Sequence, residues 1–457
     1  MGVFKTKVAA LLEKIGMDGA IAYTVFARGI QALGGLATIL VIAKSLSKDE
    51  QGYYYTFGSV LALQVFFELG LNSIITQYVA HEMAHLTWGN DHKMTGDQSY
   101  QSRLSSLLHF FAGWLAMVGL LFLVVLLAAG FYFFSTFNSH SSIADWKGPW
   151  IILAFTTAAF LLLDPMLAFL EGLGRVKEVA RMRLVQQTAY ITFVIIFLTN
   201  DFKLYSSALA SFTGLLCTTL LFIFSDNLKI MRNIWKMKGE HKVSYRKEIF
   251  PYQWKIAASW ISGYFIFQLF NPVLFASEGA VTAGQMGMTL AALNGIMGLS
   301  MSWINTKIPL FSMLISQKNY AGLDLSFFKS FRQSLFIMAL GLVTLFLIVY
   351  VLRSFGFTMG ERFLPTLPFV FISISYLLNT IAFGLAAYLR CHKAEPLLVQ
   401  SLVFAVFTSI STITLGNYYG VFGITLGYLL LGILIGIPWV LIVFVTKRKL
   451  WHQQMHY

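Results

Sequence analysis

The chain is poor in charge. Only 12% of its 457 residues are Asp, Glu, Lys or Arg, about half the share that keeps a soluble globular protein in water. That shortage excludes the soluble classes. Cysteine is nearly absent: Cys217 and Cys391 are the only two, so neither a disulfide framework nor a zinc ribbon can be built. Long polar segments are missing as well, and none exceeds about thirty residues, too few for a separate soluble domain. The opening MGVFKTKVAALLEKIG lacks the apolar core and small-residue cleavage site of a signal peptide. Residues 1–19 are expected to form an interfacial amphipathic helix, with Lys5, Lys7 and Lys14 on its polar face.

Apolar residues are what the chain has in excess, at 57% with a mean hydropathy of +0.70. Runs of 18 or more apolar residues recur along its length, each able to cross about 30 Å of hydrocarbon as a helix. Twelve spans are expected: Ala20–Ala43, Tyr54–Ala80, Ser105–Phe134, Pro149–Leu173, Met182–Leu198, Tyr205–Ser225, Phe250–Phe275, Thr282–Leu310, Ser334–Leu352, Leu364–Leu389, Pro396–Leu415 and Tyr419–Val445. The fold class is an all-α membrane protein. Its expected parts are a six-helix bundle over 20–225, a basic connector over 226–249, a second six-helix bundle over 250–446 and a tail over 447–457. The connector is read as a spacer long enough to let the two bundles rock.

The net charge of +13 sits mostly between the spans. Placing the N-terminus inside puts twenty-four of the 33 basic residues on the cytoplasmic side and six outside, with three inside spans. A bias of this size over short loops fixes orientation, with both termini and the connector cytoplasmic. It also explains the positive charge without nucleic acid, which is excluded as a partner.

The halves carry traces of a repeat. Gly52-Tyr-Tyr-Tyr-Thr-Phe opens span 2 and Gly284-Gln-Met-Gly-Met-Thr opens span 8. The link Leu173-Gly-Arg-Val-Lys-Glu-Val lies over Leu389-Arg-Cys-His-Lys-Ala-Glu, and at the same offset Ala208-Leu-Ala-Ser falls on Ile424-Thr-Leu-Gly. Six plus six spans about a basic loop is a transporter-like plan.

Three local patterns carry a family resemblance: Glu50 and Gly52 before span 2, Leu69-Gly70-Leu71 near its middle, and Tyr419-Gly420-Val-Phe-Gly423 at the start of span 12. With the six-plus-six layout, they make the chain resemble O-antigen-type polysaccharide flippases of the multidrug/oligosaccharidyl-lipid/polysaccharide exporter (MOP) superfamily. The resemblance implies a V-shaped pair of six-helix bundles around a central cavity, working by alternating access in a bacterial inner membrane. It implies a polyprenyl-diphosphate-linked oligosaccharide as substrate, turned from the cytoplasmic to the outer leaflet. Membrane lipids, a polysaccharide polymerase and a chain-length regulator are the implied partners. No covalent chemistry and no cofactor are expected, only coupling to H⁺ or Na⁺. A cation-coupled multidrug exporter of the same superfamily is the alternative.

A charge at membrane depth costs at least about 2.5–3.5 kcal/mol, so it normally faces a cavity or a partner. Arg28, Lys255 and Lys307 fall inside spans at similar expected depth. They are the candidates for binding a lipid diphosphate, arginine through its two-pronged donors. Snorkelling lysines and a salt bridge from Arg28 to Glu68 or Asp164 are the plainer readings. Glu68 and Asp164 are the candidate ion-coupling carboxyls, structural pairing with basic residues being the alternative. Pro165, Pro272, Pro309 and Pro438 are candidate hinges.

His81-Glu82-Met83-Ala84-His85 fits H-E-x-x-H, in which two His on one helix face bind zinc and the Glu acts as base. A catalytic zinc needs a third protein ligand. His92 misses the extended spacing by one residue, and the only Asp-Gly pair, Asp18-Gly19, lies in the N-terminal segment. No metal site is therefore expected, with His81 and His85 kept as the residues that would hold one in a membrane metalloprotease. A glycosyltransferase or polymerase acting on the same carrier would carry a large outer loop. Ser135–Gly148 and Ser354–Phe363 are among the longest here, which argues against that class.

Overall fold

A computed structural model describes residues 34–89, 94–137, 145–237, 243–392 and 394–453. Helices stand at each of the twelve expected places. Nine of the described helices are long and apolar enough to cross a membrane. One of these, Leu398–Gln453, is 56 residues long and holds spans 11 and 12. Span 7 is a broken pair, Phe250–Phe267 and Phe270–Ser277, and the described part of span 1 is Gly34–Ser45. The chain is a multi-pass membrane protein built almost wholly of helices among the described residues. Its lipid-facing surface is legible in single helices: along Tyr320–Ser354, Phe336, Leu340, Val343 and Leu347 are all exposed, at the spacing of one helical face.

The described residues form two compact units. One draws on residues 34–41, 63–136 and the described part of 145–257, the other on 42–62 and the described part of 258–453. In the first, Lys147–Gly172 packs against Leu71–Met83, Gln98–Thr136 and Tyr205–Phe224. Small residues let these backbones approach, as they do between helices in lipid. A Cβ on Gly172 would lie 2.8 Å from the Thr76 carbonyl oxygen, and one on Gly130 would lie 2.0 Å from the Trp150 ring. Thr76 Oγ1 donates to the Ala168 carbonyl at 3.1 Å.

In the second unit, Ala280–Asn305 is the central helix, contacting Lys48–Leu61, Tyr320–Ser354 and Thr366–Arg390. The Lys48–Leu61 helix starts on a reciprocal cap: Glu50 N donates to Ser47 Oγ at 3.1 Å, and Ser47 N donates to Glu50 Oε2 at 2.8 Å. Two turns of this helix then lie directly on the central one. Gln51 Nε2 donates to the Gly284 carbonyl at 2.8 Å, and a Cβ on Gly52 would lie 2.0 Å from the Ala280 carbonyl oxygen. Arg362 donates to the Leu46 carbonyl at 2.6 Å and to Gln51 Oε1 at 3.2 Å. Glu50 and Gly52 therefore have distinct duties, one capping the helix and the other clearing its path.

The third motif is explained as sharply. Gly420 has φ +56° and ψ −141°, the one non-helical residue inside Leu398–Leu431. Glu278 fills the space where its Cβ would be, and accepts from Val421 N at 3.2 Å. Only glycine combines that conformation with that neighbour.

Of the candidate proline hinges, Pro165 lies inside Lys147–Gly172. Pro272 and Pro309 instead sit in the first turns of Phe270–Ser277 and Ile308–Ser316, where a missing N–H costs nothing. Pro438 follows a π-helical turn, Gly432–Gly436, that absorbs the register shift it imposes.

The connector is not a plain spacer. Asn227–Trp235 is an amphipathic helix with Ile230, Met231 and Ile234 buried and Lys229, Arg232 and Lys236 exposed. It docks on Gln98–Thr136 of the first unit, with Trp235 against His109 at 3.8 Å between ring centres. The far end is tied to the same unit: Val243 N donates to Ser106 Oγ at 3.3 Å, and the Tyr78 hydroxyl to the Glu248 carbonyl at 2.5 Å. Beyond the helices, Leu86–Trp88 and Met94–Gly96 pair as two short antiparallel strands.

Candidate functional site

Span 2 does not run straight. Its helix stops at Glu68, and a new one, Leu71–Met83, begins after Leu69 (φ +49°) and Gly70 (φ +68°). Two successive left-handed residues reverse the helical hand, at a cost of about 1 kcal/mol for Leu69 and little for Gly70. A break at membrane depth exposes backbone polar groups that survive only against protein or a water-lined cavity. Glu68 stands at that break. Its Oε1 accepts from Asn72 Nδ2 at 2.6 Å, and Ser73 Oγ donates to the Gly70 carbonyl at 2.8 Å.

Asp164 belongs to the same unit. It precedes Pro165, whose absent N–H leaves a carbonyl of the preceding turn unpaired. Glu68 lies close enough to Asp164 to feel its charge, Asp164 feels that of Glu171, and Arg183 acts on both Glu68 and Asp164. Arg183 itself bridges Glu171 at 3.4 Å. Neither Glu68 nor Asp164 forms an ion pair among the described residues, and Arg28, the partner weighed from sequence, lies outside them. The fold brings together two membrane-depth carboxyls, an amide and a cation that anchors on a third carboxylate. Asn72, Glu171 and Arg183 escaped the sequence reading because they lie at span ends or look like ordinary polar helix residues.

Of the candidate cations, Arg28 lies outside the described residues. Lys255 is exposed, its Nζ 6.0 Å from the centre of the Trp254 ring. Lys307 is exposed at the start of Ile308–Ser316. Neither lysine makes an ion pair among the described residues. The two belong to different compact units.

The H-E-x-x-H stretch is put to other use. The helix ends at Met83, so His85 leaves it and stacks on Tyr100, 4.2 Å between ring centres. Glu82 is 1% exposed and accepts from Arg103 Nε at 2.9 Å. Arg103 also donates through Nη2 to Glu248 at 2.7 Å. Burial opposes ionisation of Glu248, yet the Ser244 N–H and the Arg103 guanidinium together hold its carboxyl below the usual value. The ion pair with Arg103 engages Glu82 through Oε1, and Oε2 is buried, so the side chain is tied into the helix packing rather than open to solvent. Among the described residues no group of three His, Cys, Asp or Glu side chains could hold a metal ion.

The fold is shared with solved transporters of the MOP superfamily. An inward-facing multidrug resistance MATE family transporter superposes with a TM-score of 0.62 at 14% identity, covering 94% of this chain and 99% of that one. The lipid II flippase MurJ in an inward closed conformation gives 0.60 at 14% identity, covering 94% and 90%. A MOP superfamily transporter from Pyrococcus furiosus, described as having a binding pocket of reverse polarity, gives 0.56 at 13% identity, covering 94% and 96%. No family model matches the chain, and no curated protein matches it in sequence.

Proposed function

We propose that the chain is a flippase of the MOP superfamily in a bacterial inner membrane. It moves a polyprenyl-diphosphate-linked oligosaccharide of the O-antigen type from the cytoplasmic to the outer leaflet, with both termini cytoplasmic and no covalent chemistry. The observation that supports this reading is a fold common to lipid flipping and drug export, with Lys255 and Lys307, each inside a span expected from sequence, exposed and without a carboxylate partner among the described residues. A cation that no protein group neutralises suits an anionic passenger. Polymerase and chain-length regulator are the partners such an exporter would serve.

The acidic pair Glu68 and Asp164 suits coupling to H⁺ or Na⁺. The same pair favours a second reading, a cation-coupled exporter of cationic drugs, whose structural relative is the MATE transporter. Proteoliposomes separate the two. With a fluorescent polyprenyl-diphosphate oligosaccharide in both leaflets, an impermeant quencher should reach nearly all of it, against half in empty vesicles. Lys255→Ala with Lys307→Ala should slow that exchange tenfold or more. Quenching identical to empty vesicles, together with ion-driven ethidium movement, overturns the flippase reading in favour of the drug exporter.

A further inference from the structure

The second unit contains a partly open chamber of about 120 Å³ that no sequence motif announces. Its walls come from Phe250–Phe267, Thr366–Arg390, Leu398–Leu431 and the π-helical turn Gly432–Gly436. That turn supplies the room. Gly432 and Gly436 both line the chamber, and a Cβ on Gly436 would come within 3.2 Å of the Phe404 ring. A π turn widens the helix by a residue, and such turns gather at functional sites.

Most of the lining is apolar, including Phe267, Phe383 and Phe404. Ser259, Asn379, Ser401, Gln400 and the Arg390–Glu395 pair break it, and two of these features matter most. Gln400 lines the chamber at 9% exposure, with no hydrogen bond to its amide among the described residues. An amide facing an otherwise largely apolar space offers a donor and an acceptor to whatever enters it. Arg390 stands at the mouth, its Nε donating to Glu395 at 3.3 Å, with both side chains about half exposed. Arg390 and Phe383 also line a second, wider cavity of about 390 Å³ with Asn305 and Ser312. One arginine therefore stands between an apolar chamber and a more polar one.

Such a pair of spaces fits an amphiphile. We propose that the chamber holds the isoprene units of the carrier lipid nearest the diphosphate. Its first phosphate replaces Glu395 on Arg390, and Gln400 donates to the oxygen that joins chain and phosphate. This rests on the flippase reading above and deepens it by naming where the lipid, as distinct from the sugar, is held.

The test is binding of geranylgeranyl diphosphate to the purified full-length protein in detergent micelles, with dioleoyl phosphatidylglycerol as competitor. Arg390→Gln and Ala386→Phe, which fills the chamber, should each weaken binding tenfold or more at an unchanged thermal midpoint. Gln400→Leu, which leaves the volume alone, should weaken it about threefold and serves if Ala386→Phe does not fold. Variants that bind like the wild type overturn the site while leaving the flippase reading intact, as does displacement by equimolar phosphatidylglycerol. A wild-type protein with no affinity for the diphosphate overturns the lipid-linked reading itself.

Discussion

Gly52 and Gly284 lie backbone to backbone: a Cβ added to Gly284 would stand 2.8 Å from Gly52 N and 3.1 Å from Gly52 Cα. These are the residues that open spans 2 and 8 in the traces of internal repeat. Corresponding positions in the two halves thus meet within one compact unit, each making room for the other. Gly52→Ala is expected to destabilise the protein by about 1–3 kcal/mol through overpacking against Ala280, read as a lowered thermal midpoint in detergent. An unchanged midpoint would show that the two helices are not in contact in the membrane.

Gly420→Ala faces both a left-handed backbone and the Glu278 carboxylate. The backbone alone costs about 1–2 kcal/mol, and the collision adds to it. Glu278→Ala in the same chain should recover part of the loss by clearing the collision. No recovery would mean that conformation alone demands glycine.

Arg103→Ala leaves Glu82 buried without a partner, an arrangement that costs about 3 kcal/mol. Replacing Glu82 by Gln in the same chain should restore most of the stability. Zinc content of the purified protein should stay at background in the wild type and in His81→Ala. Stoichiometric zinc lost on that substitution would revive the peptidase reading.

Burial lowers the affinity of His392 and His452 for protons. His452 lies 3.8 Å from Asp324, which also accepts from Arg448 and from Tyr388 at 3.0 Å. A histidine whose folded pKa is depressed is held neutral, so the unfolded chain binds the proton first. Its contribution to stability is present above its unfolded pKa of about 6.5 and is lost as pH falls through the lower folded value. The thermal midpoint should therefore drop on acidification below about pH 6.5. His392→Gln combined with His452→Gln should flatten that slope, and an unaltered slope would assign it to other groups.

If Glu68 and Asp164 couple transport to an ion, Glu68→Gln or Asp164→Asn should remove the dependence of transport rate on a pH or Na⁺ gradient. The loss should be tenfold or more, with little change in thermal midpoint. Gradient dependence that survives both substitutions would leave the pair a structural feature only.

Helix positions were readable from sequence because runs of apolar residues answer directly to the thickness of hydrocarbon. Breaks within helices were only half readable. Gly70 flags a weak point in span 2, but nothing in the composition shows that Leu69 turns left-handed beside it. Side chains far apart in sequence were not readable at all. Arg103 finds Glu82 21 residues away and Glu248 145 residues away, contacts that depend on the folded connector. Arg183 counts as one more loop cation until the fold turns it toward Glu171, Asp164 and Glu68. Gln400 is invisible by pattern, since its meaning comes from the empty space beside it.

The clamp on Glu82 has a consequence beyond this chain. Five residues of local pattern place it among zinc peptidases, and a genome search by that pattern would count it there. What separates it is a guanidinium twenty-one positions downstream that no short pattern can include. Other membrane proteins with H-E-x-x-H at a span end can be sorted by asking whether an arginine at the start of the following helix already holds the glutamate.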